Sequence, residues 1–382
     1  MSFGIQSTLV FVSLIVLGFF LQKKISSPEE TKGIKSIILN LALPATIFIA
    51  LLKIEIEREL LLFHLITLLL NVLMMLGAYL VVTIMNVSKD SAVLRSILLL
   101  FPSFAPGLSC FPFLMEYFGE EALANAAFAD VGNKIFVLII LYVVAMRWHY
   151  NHLSSRDGNV TQRSKFSKLK ELGMALLREP INSVLFIALI MIILGWNMNT
   201  LPFFIGDSIQ RLSILMTPLI LLFIGLSFKV SREDTSFILQ LLLWRSGIGL
   251  VLSGILIFIL PSNISTISKI LILIFPQSAC SFWPYAHMSA IHSLDKENEN
   301  DQSFDLTFSL NLLAFSLPIS TIIILGLCSY SNTFTSPDVS LWLGGIILSF
   351  ALVLHLIKFL QSFYNSETLA SEKDLRRESL KA

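Results

Sequence analysis

"SILLLFPSFAPGLSCFPFLMEYFG", residues 96–119, is long and apolar enough to cross a bilayer as one helix, yet it carries Pro102, Pro106 and Pro112. A spanning helix needs about 20 apolar residues. A proline in a helix interior removes a backbone donor and clashes with the preceding turn, at a cost of about 3 kcal/mol. Hydrocarbon offers no water to satisfy the freed carbonyl, so non-helical backbone is tolerated there only where protein buries it or where it lines a cavity. The stretch therefore reads as a helix broken at membrane depth for a purpose.

The rest of the chain supports a membrane setting. Of its 382 residues 55% are hydrophobic and only 14% charged, against about a quarter charged in soluble domains. The mean hydropathy is +0.79. Eleven apolar windows read as spans, over residues 3–22, 34–53, 60–85, 92–118, 122–147, 181–199, 208–228, 235–260, 266–291, 304–329 and 339–362. The first window has its positive charges after it and no small-residue cleavage pattern, so it reads as a span rather than a secretion signal.

Several function classes drop out. The formal net charge is +1 and no basic patch with interleaved aromatics occurs, so nucleic acid is not an expected partner. Cys110, Cys280 and Cys328 lie in apolar stretches without metal-ligand spacing and read as small buried side chains; no metal and no cofactor is expected. There is no G-x-S-x-G elbow, no H-E-x-x-H pair and no phosphate loop. Neither an enzyme nor an ATP-driven pump is therefore expected.

Lysine and arginine collect on one side. The hydrophilic segment from Arg147 to Arg178 joins the loops bearing Lys23, Lys24, Lys32, Lys35, Lys89, Lys229, Arg232 and Lys296, together with the tail's Lys373, Arg376 and Arg377. By the positive-inside rule this places the N-terminus outside and the C-terminus in the cytoplasm of a cell-membrane protein. The expected organisation is five spans in residues 1–147, a basic cytoplasmic loop over 148–178, and five more spans in 179–330. An additional span in 331–362 and a charged cytoplasmic tail, 363–382, follow.

The two five-span portions echo each other. "LALPATIFIALLKIEI" at 41–56 aligns with "LMTPLILLFIGLSFKV" at 215–230, and "RSILLLFP" at 95–102 with "KILILIFP" at 269–276, both at an offset of 174 residues. An odd number of spans per portion turns the second copy upside down. Inverted repeats with a broken helix at matching places are a signature of secondary transporters, whose substrate sits where the breaks meet near the midplane.

The candidate substrate-binding residues are Pro102, Ser103, Ser109 and Pro112 from span four and Pro276, Gln277, Ser278 and Ser281 from span nine. Whether Pro102 or Pro112, and Pro276 or Pro284, marks each crossing point is open at this level. Span five adds Asn133 as a cavity-lining amide, with Asp130 and Lys134 four residues apart, acid first. Such a pair shares one helix face. It either couples a proton and tunes Lys134 for an anion, or neutralises itself as a structural pair. Span ten adds Asn311 beside Thr307, with Asp305 at the mouth as a helix cap. His64, Asn71, His287 and His292 are lesser candidates, since lone histidines here mostly pack, and Arg245 must snorkel or pair internally.

"NLALPATIF" (40–48), "FPFLMEYFGEEALANAAFADVGNKIF" (111–136), "FPQSACSFWPYA" (275–286) and "SFDLTFSLNLLAFSLP" (303–318) resemble the auxin efflux carrier family. That family includes plant auxin exporters, endoplasmic-reticulum carriers and bacterial permeases for dicarboxylates such as malate or malonate. The resemblance runs from residue 1 to about 330. It implies an all-α polytopic membrane protein of two inverted five-helix repeats, here with an extra C-terminal helix, in which broken helices four and nine cross. It further implies substrate held by small polar residues beside the prolines, elevator-like movement, and a homodimer formed through scaffold helices. Two departures stand out: Ala105 and Pro106 replace the asparagine-containing "NTG" common in members, and the eleventh span and tail lie outside the pattern.

The expected function is thus a secondary carrier that moves a small organic anion, a carboxylate, by alternating access, with a proton or sodium ion as conceivable coupling ion. Two alternatives remain: a bile-acid/sodium symporter-like carrier on the same plan, and a non-transporting membrane sensor built on the carrier fold.

Overall fold

The computed structural model describes residues 3–25, 27–53, 58–88, 91–154, 180–227, 235–261, 264–292 and 302–379. Most of the expected basic loop, from residue 155 on, lies outside the described residues, as do Lys89, Lys229, Arg232 and Lys296. What is described is helical throughout, with no strand among the described residues.

Helix α1 is Phe3–Leu21. α2 covers residues 28–53 in three pieces, Pro28–Ile37, a π-helical turn Ile38–Ala42, and Leu43–Lys53. Its start is a reciprocal cap: Glu30 N–H donates to Ser27 Oγ at 3.1 Å, and Ser27 N–H to the Glu30 carboxylate at 3.2 Å, with Pro28 in the first turn. The widened turn directly precedes Pro44, where the ladder lacks a donor. α3 is Arg58–Ile84 and α4 is Ala92–Leu100. After the single turn Pro106–Ser109 comes α5, Phe111–Ile135, which a π-helical turn joins to α6, Leu141–Ser154. Then follow α7 Pro180–Ile193, α8 Phe203–Ile214, α9 Met216–Ser227 and α10 Thr235–Ile259. The last four are α11 Thr266–Ile274, α12 Phe282–His292, α13 Leu306–Ser329 and α14 Pro337–Ser379.

Among the described residues eight helical stretches are long and apolar enough to cross a membrane, and α1 contributes a shorter apolar run, Leu9–Leu21. The chain is therefore an integral, multi-pass membrane protein. Three of the expected spans differ in detail. The one at 181–199 is helical only through Ile193 and ends at Gly195, whose φ of 72° suits a residue without a Cβ. The fourth and fifth meet in one long helical stretch, Phe111–His149. Gly119, with φ 80° and ψ −171°, divides it into the end of one crossing and the start of the next. The eleventh does not stop at 362: α14 runs 43 residues, about 65 Å at 1.5 Å per residue, twice the hydrocarbon thickness, so the charged tail continues the same helix.

Lipid takes the place of water around this bundle. Large apolar side chains lie exposed on its outside, Phe203 and Ile193 among them. With no hydrophobic drive between helices in lipid, close approach through small residues holds them. At α1 against α9, a Cβ on Gly18 would collide with the Leu222 carbonyl and one on Gly225 with the Ile15 carbonyl. At α5 against α3, a Cβ on Gly132 would strike the His64 carbonyl. At α10 against α14, Gly247 and Gly254 receive Leu348 and Leu341, and Gly344 receives Val251. Gly326 and Gly345 have open space where a Cβ would go.

These contacts predict a contrast. Gly132→Val and Gly225→Val should each destabilise the protein by about 1–3 kcal/mol or more, because backbone must move. Gly345→Ala should be neutral or slightly stabilising. Size-exclusion profiles of heated, detergent-solubilised variants measure this, and equal melting of Gly225→Val and wild type would contradict it.

Candidate functional site

Two nine-residue helices, α4 and α11, enter the protein interior in the same manner. Each is capped by a serine: Leu94 N–H donates to Ser91 Oγ at 3.1 Å and Ser268 N–H to Ser265 Oγ at 3.2 Å. Each ends on Phe–Pro, at 101–102 and 275–276, and in both the helical path then stops. Helix resumes at Pro106 in one and Phe282 in the other. This sorts the prolines. Pro102 and Pro276 lie in the breaks, whereas Pro106, Pro112 and Pro284 lie in the first turns of resuming segments. First-turn amides have no partner within a helix, so a proline there loses nothing.

The two breaks meet. Ala105 N–H donates to the Ala279 carbonyl at 2.9 Å, joining backbone to backbone across 174 residues of sequence. Ala279 N–H donates to Ser109 Oγ at 3.0 Å, and Ser281 N–H to Ser103 Oγ at 3.0 Å. Hydroxyls of the first broken helix thus satisfy amides of the second. Helix α13 supplies two more: Ser316 Oγ accepts from Cys280 N–H at 3.2 Å, and Ser320 Oγ donates to the Gln277 carbonyl. The exposed carbonyls are met locally as well, with Ser103 Oγ donating to Leu100 and Ser278 Oγ to Phe275, each at 2.7 Å.

A guanidinium sits between the breaks. Arg245, on α10 and 3% exposed, donates from Nε to the Phe101 carbonyl at 2.9 Å and from Nη2 to the Ser103 carbonyl at 2.9 Å. Its Nη1 donates to the Ser278 carbonyl at 2.7 Å, and its plane lies 5.8 Å from the centre of the Phe104 ring. The closeness of α10 depends on Gly249, where a Cβ would come within 2.6 Å of Gln277 Nε2 and 3.0 Å of Pro276 Cβ.

An amide network completes the first break. Asn71, on α3, donates to the Pro102 carbonyl at 2.8 Å and to Asn133 Oδ1 at 3.1 Å. Asn133 donates to the Phe104 carbonyl at 2.9 Å and to Asp130 Oδ1 at 2.8 Å, and accepts from Phe104 N–H at 3.3 Å. Lys134 Nζ lies 3.4 Å from Asp130 Oδ2, both side chains being buried. At the second break Gln277 donates to the Ser246 carbonyl at 3.1 Å. Two acceptors, Asn71 Oδ1 and Gln277 Oε1, are buried without a hydrogen-bond partner.

Of the residues singled out from sequence, Pro102, Ser103, Ser109, Pro276, Gln277, Ser278 and Ser281 gather at the meeting of the breaks. Asn133, Asp130 and Lys134 lie just behind the first break. Pro112 belongs to the start of α5. Asn311 is half-buried and no hydrogen bond joins it to either break; Ser316 and Ser320, one and two turns further along α13, do that work instead. Asp305 caps α13 through Phe308 N–H at 2.8 Å, as its position at the mouth suggested. Arg245 and Asn71, which composition alone does not single out, carry one signal in the sequence: they are 174 residues apart, the offset of the repeat, each in the span preceding a broken one.

Broken helices that meet inside a helical bundle are an arrangement used by membrane carriers, and the comparisons place the chain among transport proteins. The family described as membrane transport protein matches residues 3–241, and the chain belongs to it, the family of auxin efflux carriers and malate–malonate permeases. A relative described as an uncharacterized transporter of Methanocaldococcus jannaschii is 26% identical over 226 residues, covering 58% of this chain and 68% of the relative.

Asn133 offers a sharp test of the network. Asn133→Leu strands buried partners at Phe104, Asp130 and Asn71, each worth about 1–3 kcal/mol when left unpaired. We expect a loss of about 3 kcal/mol or more, and a smaller one for Asn133→Gln. Thermal unfolding in detergent reads this directly; a Leu variant as stable as wild type would refute the network's importance.

Proposed function

We propose that the protein is a secondary carrier for a small organic anion, a mono- or dicarboxylate, held where the two broken helices cross and moved between membrane faces by alternating access. The reading extends to two inverted five-helix repeats, with the crossing shifting elevator-like against a scaffold.

The observation that carries it is the charge balance of the crossing. Arg245 is a fully buried cation there, and the nearby acid, Asp130, is already engaged by Lys134 and Asn133. Among the described residues no carboxylate pairs with Arg245. A cationic substrate would find no carboxylate at the crossing that is not already engaged, among the described residues. An anion meets side-chain amides and the N-terminal end of the segment that resumes at Phe282, which carries partial positive charge. Charged groups in hydrocarbon are expensive enough that such an arrangement favours a functional role.

Counterflow in proteoliposomes tests this. Vesicles preloaded with unlabelled carboxylates should accumulate labelled carboxylate from a panel of mono- and dicarboxylates, while amines and sugars should not. Ser103→Ala and Gln277→Ala should each lower the initial rate about tenfold, the equivalent of roughly 1.4 kcal/mol. Saturable binding of a carboxylate without any counterflow would favour the sensor alternative.

A further inference from the structure

Carriers built on broken helices place a mobile cation where unwound carbonyls and half-helix C-terminal ends converge. Here that place is taken. We propose that Arg245 is a tethered cation standing in for the coupling ion at the crossing, so that this carrier works without sodium. The proposal deepens the transport reading and rests on the crossing being the transport site.

The geometry argues for it step by step. Each helix C-terminus carries about half a negative charge on its unpaired carbonyls, so two facing ends sum to about one. The backbone that unwinds just past the C-terminal ends of α4 and α11 turns its carbonyls to one group: Phe101 and Ser103 beyond the first, Ser278 beyond the second. That group is the Arg245 guanidinium, with one full positive charge. Its counter-charge is the backbone itself, since among the described residues no carboxylate pairs with it. A planar fork with five N–H groups in fixed directions can serve three carbonyls from two separate chains at once, which a lysine's point charge cannot reproduce. The Phe104 ring lies 5.8 Å from the guanidinium and adds a cation–π contact on its face.

A free ion would leave at each cycle; this one cannot. Arg245 belongs to α10, a continuous helix of 25 residues pressed onto Pro276 and Gln277 at Gly249. On its other side α10 is packed against α14 at Gly247 and Gly254. The cation therefore travels with both breaks as one unit, and no sodium gradient is harvested through this position. The two partnerless acceptors, Asn71 Oδ1 and Gln277 Oε1, flank the crossing.

The experiment uses the full chain in detergent and in proteoliposomes. For wild type, the thermal midpoint should be the same in sodium chloride and in choline chloride, and carboxylate counterflow should be unchanged by replacing sodium. Arg245→Ala should melt several degrees lower and recover part of that shift when methylguanidinium chloride is added at a concentration that leaves wild type unaffected. Arg245→Lys should recover less than half of the lost midpoint. A saturable rise of the wild-type midpoint with sodium, or counterflow abolished by its removal, would overturn the proposal even if the Ala variant fails to fold. So would an Arg245→Ala protein as stable as wild type. Absence of counterflow with every carboxylate, alongside sodium-indifferent melting and methylguanidinium rescue, would instead count against the transport reading and leave the role of Arg245 standing.

Discussion

One constraint shapes the interior of this membrane protein: two helices are interrupted within the bundle, and each backbone group released by the interruption must find a partner in protein. An unmet buried amide or carbonyl costs about 1–3 kcal/mol, and a break of several residues frees several at once. The solution is reciprocal. Ala105 bonds Ala279, Ser103 serves the Ser281 amide, and Ser109 serves the Ala279 amide. Each broken helix completes the other, so neither break is tolerable alone.

Helix α10 does the most to hold this arrangement in place. Arg245 gathers carbonyls from both breaks, Gly249 permits the close approach, and Gly247 and Gly254 on a different face receive α14. A buried guanidinium is usually a liability, because desolvation outweighs what a single partner returns. Three well-directed carbonyls from the two unwound segments change that balance. The helix beyond the usual ten-span plan, α14, thus supports the element that carries the charge, rather than standing apart from the crossing.

Much of the candidate site was legible in the chain. Pro102 and Pro276 stood out because prolines are conspicuous in an apolar run, and the offset of 174 tied them together. Ser103, Ser109, Gln277, Ser278 and Ser281 came with them as the polar residues alongside. On span ten the sequence offers Asn311 beside Thr307, but the hydrogen bonds to the second break come from Ser316 and Ser320, since the rotation of α13 about its axis depends on packing against its neighbours and not on local composition. For Arg245 the sequence leaves open whether it snorkels or pairs internally, because nothing near it in sequence could neutralise it.

The sequence by itself determined that the protein lives in a membrane, that it is helical, and where two of its helices break. Those outcomes follow from hydropathy summed over a span and from the missing N–H of proline, both local properties. Only the tertiary structure decided which groups heal the breaks. The one side chain that serves Phe101, Ser103 and Ser278 is Arg245, at least 33 residues from any of them, and a carbonyl in unwound backbone accepts any well-placed donor. Which donor reaches it depends on how close two helices can come, and that is set by glycines such as Gly249, whose importance appears only when the facing side chain is known.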